Sequence, residues 1–539
     1  MTEPSSKNNS FDYIVVGGGS AGCIIAARLL AAKAGTVALI ERGDKAEANP
    51  ETLSADGFKY AFGNDKVMLD RMSTHQSACN HRSLYAGSGS VIGGSGAVNG
   101  MVYTRGDKKD FDEWPSGWQW DDVEPAFQKL EQGLHIRHRE ATTFTEKALT
   151  AAEAAGFKRK HGLNDGDLSG YMGYNDMNYE DSERRNTYTA FLSEHMSNPQ
   201  FTLFTKSLTH KVIFEDSSQE KRAVAVEAAI KGKKQILRAN KEVILCAGAL
   251  ETPKLLMLSG VGPKDHLQAL GINVVKDVPA IGSNLHDHPN VTLFMQGRKP
   301  VDFGYPQVYG FYRANPELPL PTGQADTCIA WLAAPITMQE SMKRMAPATL
   351  FGGKYFFNPL IKGFLRLGLK IVLLLPPVNK FINNLYGIVV ILGKPLSRGT
   401  LRLASTNVKD PAIIDLAFYK NPDDMETILN GVEMAKKIAS HEELKSWGNR
   451  PLAPASRSSK REVLKKWVYN TTMTTFHYCG TCSMGESADR PVDASLKLKG
   501  FAGLRIADAS VIPAIPVSAL NAPTMMIGYR AADFILSGK

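Results

Sequence analysis

The chain has 539 residues, 43% hydrophobic and 22% charged, with a net charge of +9. These proportions fit a soluble globular protein of two domains or one elaborate one, and no internal repeat is visible. No run of about 18 apolar residues is available to span a bilayer, the polar opening MTEPSSKNNS lacks the core of a secretory signal, and six cysteines are too few for a disulfide scaffold, so a reducing, cytoplasmic setting is expected.

Residues 11–16 are an apolar run of the kind buried in a parallel sheet. Gly17, Gly19 and Gly22 follow in the G-x-G-x-x-G spacing, with Ser20 among them. An Ala-, Ile- and Leu-rich stretch predicts a helix over about 21–32, and residues 36–40 predict a second strand ending at Glu41. Gly17 permits the tight turn, Gly19 lets backbone approach a pyrophosphate, and Gly22 lets helix and strand pack closely, while the helix N-terminus faces the negative charge. Glu41 is placed to accept hydrogen bonds from ribose hydroxyls. The order predicts a dinucleotide site but does not separate NAD from FAD.

Residues 44–80 are polar and irregular. Within 86–107 the chain then carries Gly87, Gly89, Gly93, Gly94, Gly96 and Gly100, interleaved with Val91, Ile92, Val98 and Met101. Such glycine density weakens any regular element, and the apolar residues argue against a mere linker. The stretch reads as a loop laid against the cofactor, with Gly93, Gly94, Asn99 and Gly100 as contacts. Further on, 115–130 has helical spacing, 201–214 alternates as strands do, 242–247 is a buried strand and 253–258 a short helix. Segments 326–333 and 399–403 are strand-like, 423–440 has helical period, and 504–510 is a strand that runs into Asp508.

The stretch GGSGAVNGMVYTRGDKKDFDEW, from Gly93, resembles the first signature of the glucose-methanol-choline (GMC) family of flavin oxidoreductases. GALETPKLLMLSGVG from Gly248, GSNLHDHP from Gly282, HYCGTCSMG from His477 and NAPTMMIG from Asn521 resemble its further motifs, in family order. The resemblance implies FAD, and an α/β fold: a Rossmann-like FAD domain built from 1–154, 201–299 and 463–539, and a mostly antiparallel-sheet substrate domain built from 155–200 and 300–462. It also places Val212 at the adenine side and Asp508 near the pyrophosphate and ribitol. Oxidising an alcohol requires a base for the hydroxyl proton and a hydride acceptor. By resemblance His477 is that base and Asn521 holds the alcohol oxygen, the family pair being His-His or His-Asn. His286 and His288 read as structural, and no cluster has zinc spacing, so no metal is expected. Cys479 and Cys482 are either two buried small residues or a C-x-x-C redox pair. No attachment residue is obvious in the 86–100 loop, so FAD is expected to be non-covalent.

Residues 351–394 depart from the family pattern. They hold Lys354, Lys362, Arg366, Lys370, Lys380 and Lys394 and no acid. Because so much of the basic excess lies in this apolar stretch, lipid rather than nucleic acid is the expected partner. Lys362, Arg366 and Lys370 line one helix face, apolar residues cover much of the rest, and Pro376-Pro377 ends the helix. The pattern suits a helix in a membrane interface, a lid over a substrate tunnel, or a packing insert. The expected activity is oxidation of a hydrophobic or long-chain primary alcohol to an aldehyde, with oxygen or a quinone as electron acceptor, by an enzyme that is peripherally membrane-associated if the insert binds lipid. The alternatives are a flavin photoenzyme of the fatty acid photodecarboxylase type, with Cys328 in a functional place, and a non-catalytic flavoprotein.

Overall fold

The first apolar run becomes strand β1 (Ser10–Val16), buried along most of its length, and the glycine turn hands the chain to helix α1 (Ser20–Ala31) and strand β2 (Val37–Ile40). The computed structural model describes residues 9–217, 220–350 and 356–539. Strands β3 (Phe201–Phe204), β4 (Leu208–Asp216), β5 (Lys221–Ile230) and β6 (Lys233–Leu245) complete the first sheet in the order β3-β2-β1-β6-β5-β4. β3, β2, β1 and β6 run parallel, and the short strand Leu504–Ile506 joins β6 in the same sense. β4 and β5 return as an antiparallel meander. The register sets Val16 beside Ile40 and Leu245, and Leu245 beside Ile506. The carboxyl ends of four strands are therefore level, and the residues that follow them gather at one edge, where open α/β sheets bind ligands. The C-terminal helix Asn521–Leu536 crosses α1 so closely that a Cβ on Gly528 would lie 2.7 Å from Ala21 Cα.

The second sheet carries β7 (Pro289–Gln296), β8 (Val308–Tyr312) and β9 (Thr327–Ala333). Three helices follow, α2 (Ala334–Thr349), α3 (Pro359–Leu374) and α4 (Pro376–Asn383), before strand β10 (Leu385–Leu392). The sheet order is Arg450–Pro451, β7, β10, β9, β8, Tyr171–Tyr174 and Lys158–Lys160, and only the last pair is parallel. Helix Pro422–Ala439 packs against β10. Pro376-Pro377 does end α3, and it also opens α4, because proline is tolerated at the first helical positions.

Both expected architectures are present, but the boundaries between them move. β7 lies inside the 201–299 stretch assigned to the FAD domain, yet it is a central strand of the second sheet, paired with β10 along its whole length. Helix Thr143–Ala155, expected in the first domain, sends Phe144 against Phe303, Trp331, Tyr386 and Trp447 of the second. Conversely, segment Tyr188–Leu192 packs on α1. The connections cross between domains several times, so composition shifts along the chain do not mark them.

Candidate active site

The turn after β1 leaves no room for side chains. Gly17 has φ +106°, and a Cβ there would sit 2.4 Å from the Cys246 carbonyl oxygen; one on Gly22 would sit 2.0 Å from the Gly17 oxygen. Gly94, φ +58°, brings its loop against Gly19, where an added Cβ would be 2.6 Å from the Gly19 Cα. The Gly93 N–H donates to the Gly18 carbonyl at 2.7 Å. The first turn of α1 has no side-chain cap and no acid, so its N–H groups are left for an anion. Glu41 is buried at the end of β2. Its carboxylate accepts from the Gly18 N–H at 2.9 Å and the Gly43 N–H at 2.6 Å, and burial raises its pKa. Glu41 thus ties the turn together as well as lining the cavity.

Arg184 holds the 93–100 loop from behind, donating to the carbonyls of Gly96 at 3.0 Å and Asn99 at 2.7 Å and to Asn99 Oδ1 at 2.7 Å. It is fully buried with no carboxylate partner among the described residues, and burial lowers its pKa to about 9. Nothing in local spacing flags this residue, because its loop is nearly 90 positions away in the chain. Asp508 accepts from the Gly248 N–H at 2.9 Å, the Thr252 hydroxyl at 2.6 Å and the Ser510 N–H at 2.8 Å. These elements line one cavity of about 870 Å³, with Gly17, Gly19, Ser20, Glu41, Gly94, Asn99, Gly100 and Asp508 on its wall and Gly93 just behind. Val212 is not on it. Its N–H donates to Ser259 at 2.8 Å and its side chain is buried in the sheet. The residues of that strand that reach the cavity are Leu208 and Thr209, about 10 Å earlier along an extended chain.

His477 lies at the other half of the cavity. Phe476, with φ +64°, turns the chain just before it, and the Phe476 N–H is held by Thr474 Oγ1 at 2.9 Å. A non-glycine residue in this region stores strain that the surroundings must hold. The turn lets the His477 N–H donate to buried Asp287 at 2.7 Å, while the Thr474 hydroxyl donates to the other Asp287 oxygen. Burial pushes Asp287 up to about 7. The His477 ring meets His288 Nδ1 to Nδ1 at 2.9 Å, the two rings nearly perpendicular at 88°. Burial lowers His477 to about 4 and His288 well below the ordinary histidine value. Both rings are therefore neutral at pH 7. His288, read from sequence as structural, is in contact with the candidate base, a pairing across 189 residues that spacing does not reveal.

Asn521 also lines the cavity, but its hydrogen bond goes to Ser20, whose hydroxyl donates to Asn521 Oδ1 at 2.8 Å; Nδ2 has no partner among the described residues. The structure joins Asn521 to the cofactor turn and not to His477. The helix that begins at Asn521 packs on α1, so its first side chain points toward the N-terminus of α1. Cys479 and Cys482 are free, buried and pushed up by burial, the opposite of a reactive thiol. Cys328 is buried beside Phe311 and Ile391 in a separate apolar cluster and does not line the cavity.

The second sheet and α2 give the cavity a mainly apolar wall, with Phe294 and Leu332 from β7 and β9, Tyr309 from β8, and Met342 and Met345 from α2, joined by Phe58 and Phe62; Lys59, Thr292, Ser341, Thr471 and Thr475 are the polar residues among them. The lining carboxylates are Glu41, Glu251 and Asp508, all at the first-sheet end, where Glu251 is paired with Arg71 at 2.8 Å. On its other side α2 buries Arg344 completely against Asp65 and Asp70. Lys362 and Arg366 of α3 bind the same two acids, Lys362 to Asp70 at 3.0 Å and Arg366 to Asp65 at 2.7 Å. These cations hold the Asp65 carboxyl well below the usual range against the opposing effect of burial. The basic face that the sequence puts on this helix is thus turned into the protein. Lys362 and Arg366 point inward, and Leu360, Phe364, Leu367, Ile371 and Leu374 point outward, each 57–76% exposed. Lys394 is buried between Asp110 and Glu113. Lys370 and Lys380 are exposed with no ion pair among the described residues, and Lys354 lies outside those residues. Among the described residues no helix is long and apolar enough to cross a membrane.

A family model described as GMC oxidoreductase matches residues 11–290, and its C-terminal counterpart of the same description matches 395–528. The chain is 29% identical over 558 residues to an oxygen-dependent choline dehydrogenase of Rhizobium rhizogenes, covering 97% of this chain and 95% of that protein. It is 29% identical over 550 residues to an alcohol dehydrogenase (acceptor) of Pseudomonas putida, covering 98% and 96%. The crystal structure of pyridoxine 4-oxidase from Mesorbium loti aligns with TM-score 0.84 at 26% identity, over 98% of this chain and 99% of that one. A formate oxidase structure shares the fold, with TM-score 0.82 at 22% identity and 99% of each chain covered.

Proposed function

The chain belongs to the GMC oxidoreductase family, and from that premise we propose that it oxidises a hydrophobic primary alcohol to the aldehyde. The observation that carries the substrate class is the division of the cavity. Its lining carboxylates, Glu41, Glu251 and Asp508, all follow strands of the first sheet, and most of the lining contributed by the second sheet and α2 is aromatic or aliphatic. A quaternary ammonium such as choline would find aromatic faces there but no carboxylate, whereas an alkyl or aryl chain gains about 25 cal/mol per Å² of apolar surface buried along the whole wall.

The residues present fit non-covalently bound FAD. The cradle between Gly17, Gly19 and Gly94 admits a pyrophosphate, the uncapped first turn of α1 supplies N–H donors, and Arg184 holds the facing loop in place from behind. Bound there, FAD supplies the hydride acceptor. His477, neutral at pH 7, takes the hydroxyl proton on the ring nitrogen not engaged with His288. The apolar wall excludes water and orients the chain of the alcohol.

The outward stripe of α3 adds a lipid surface to this reading. Residues 360, 364, 367, 371 and 374 form one helix face, and exposed Lys370 and Lys380 supply the attraction to anionic headgroups. A position at the membrane would bring a quinone-type carrier within reach as the electron acceptor, with oxygen as the alternative. An anaerobic panel of choline, sugars and alcohols from ethanol to dodecanol, mixed in the dark, tests the substrate class. Flavin bleaching that strengthens with chain length supports it; bleaching by choline alone contradicts it, and decarboxylation of a fatty acid only under blue light would assign the photoenzyme instead.

A further inference from the structure

We infer that His288 is a positioning residue that fixes the tautomer of His477 and shares the proton His477 takes up. The inference rests on the reading of His477 as the base. Two neutral imidazoles in Nδ1-to-Nδ1 contact at 2.9 Å can hold only one proton between those atoms, so one ring donates and the other accepts. If His288 donates, the His477 proton sits on Nε2 and the cavity meets a donor, which is useless as a base. If His477 donates, its Nε2 lone pair is free on the cavity side and His288 carries its own proton on Nε2.

Only the second arrangement leaves His477 able to act as a base. The Gly393 backbone carbonyl approaches the His288 ring and favours its proton, although Nε2 closes no full hydrogen bond. The His288 carbonyl is held in turn by the Thr475 N–H at 3.1 Å and the Thr475 hydroxyl at 2.6 Å. His288 is 1% exposed and absent from the cavity wall, so it touches neither substrate nor cofactor. When His477 Nε2 accepts the alcohol proton, its Nδ1–H still points at the His288 lone pair, which stabilises the imidazolium or takes that proton outright. The titratable neighbours of the pair are Asp287, which receives the His477 N–H, and His286 and Lys394 near His288. None of them replaces the Nδ1 contact.

The test uses FAD-loaded protein. Isotope-labelled histidine NMR of the wild type should show His477 neutral with the proton on Nδ1; a proton on Nε2 overturns the inference. His288→Leu should keep its flavin and its KM for a long-chain alcohol, while kcat falls at least about 10-fold, toward the 10²–10⁴ typical of general-base losses. Its acid limb in kcat should move to lower pH, because the imidazolium loses its acceptor. His288→Gln, whose amide oxygen can accept from Nδ1–H, should recover most of kcat. Unchanged kcat in His288→Leu, or equal losses in the Leu and Gln variants with flavin retained, contradict the role. A wild type that no alcohol reduces would overturn the function reading, while the NMR tautomer would still decide the His288 inference.

Discussion

The cradle at the carboxyl edge of β1, β2 and β6 and the α2–α3 arm over the cavity are built by opposite means. In the cradle side chains are excluded: Gly17, Gly22 and Gly94 let backbone meet backbone at distances no Cβ could survive. In the arm side chains do the holding: Arg344, Lys362 and Arg366 grip Asp65 and Asp70, and Met342 and Met345 close the cavity. A region defined by missing atoms tolerates no substitution. A region defined by ion pairs can be loosened one contact at a time.

The sharpest way to break this contrast is Gly22→Val. Its Cβ would fall 2.0 Å from the Gly17 carbonyl oxygen, so the purified protein should carry no flavin by its visible spectrum, and recovery should drop. Full flavin content would show that the turn is not the binding site. Asp65→Asn combined with Asp70→Asn should act on the arm alone. Removing the partners of a fully buried guanidinium costs about 3–5 kcal/mol, so proteolysis within 334–394 should speed up by orders of magnitude while the flavin stays bound.

The two regions also differ in how far they could be read from the sequence. The cradle follows from spacing: G-x-G-x-x-G, the strand before it and Glu41 after it lie within about 30 residues, and each position has its own steric reason. The arm is amphipathic in a way that admits two dockings, basic face out or apolar face out. Asp65 and Asp70 decide between them from almost 300 positions earlier, and no local pattern carries that choice. The site divides in the same manner. His477 stands in a recognisable motif, but its contact with His288 exists only after β7 pairs with the Met473–Thr474 strand. Asn521 lines the same cavity as His477, and its contact with Ser20 follows from the helix crossing at Gly528 and not from the motif.

Smaller effects sharpen the picture. Leu360→Ser with Phe364→Ser should cut sedimentation with anionic liposomes by about 10-fold or more, at roughly 1–2 kcal/mol per apolar group lost, and leave turnover of a short soluble alcohol unchanged. A wild type that fails to sediment with the liposomes even at low salt would remove the lipid surface from the account. The pH profile should be the mildest signature. Because burial places His477 near 4, below the ordinary histidine value of about 6.5, the base stays neutral through mild acid and the acid limb of kcat/KM should fall below pH 6.5. The linkage has the same sign: between those values the unfolded chain binds more protons, so stability rises with pH and is lost as pH falls through the window.

The central claim is that His477 accepts the alcohol proton in a dark two-electron oxidation. Anaerobic stopped-flow of wild type and His477→Ala with a long-chain primary alcohol tests it most directly. Wild type should lose its oxidised-flavin absorbance within a single turnover, and His477→Ala, with its flavin retained, should do so about 10²–10⁴-fold more slowly. Bleaching of the variant at the wild-type rate would contradict the account.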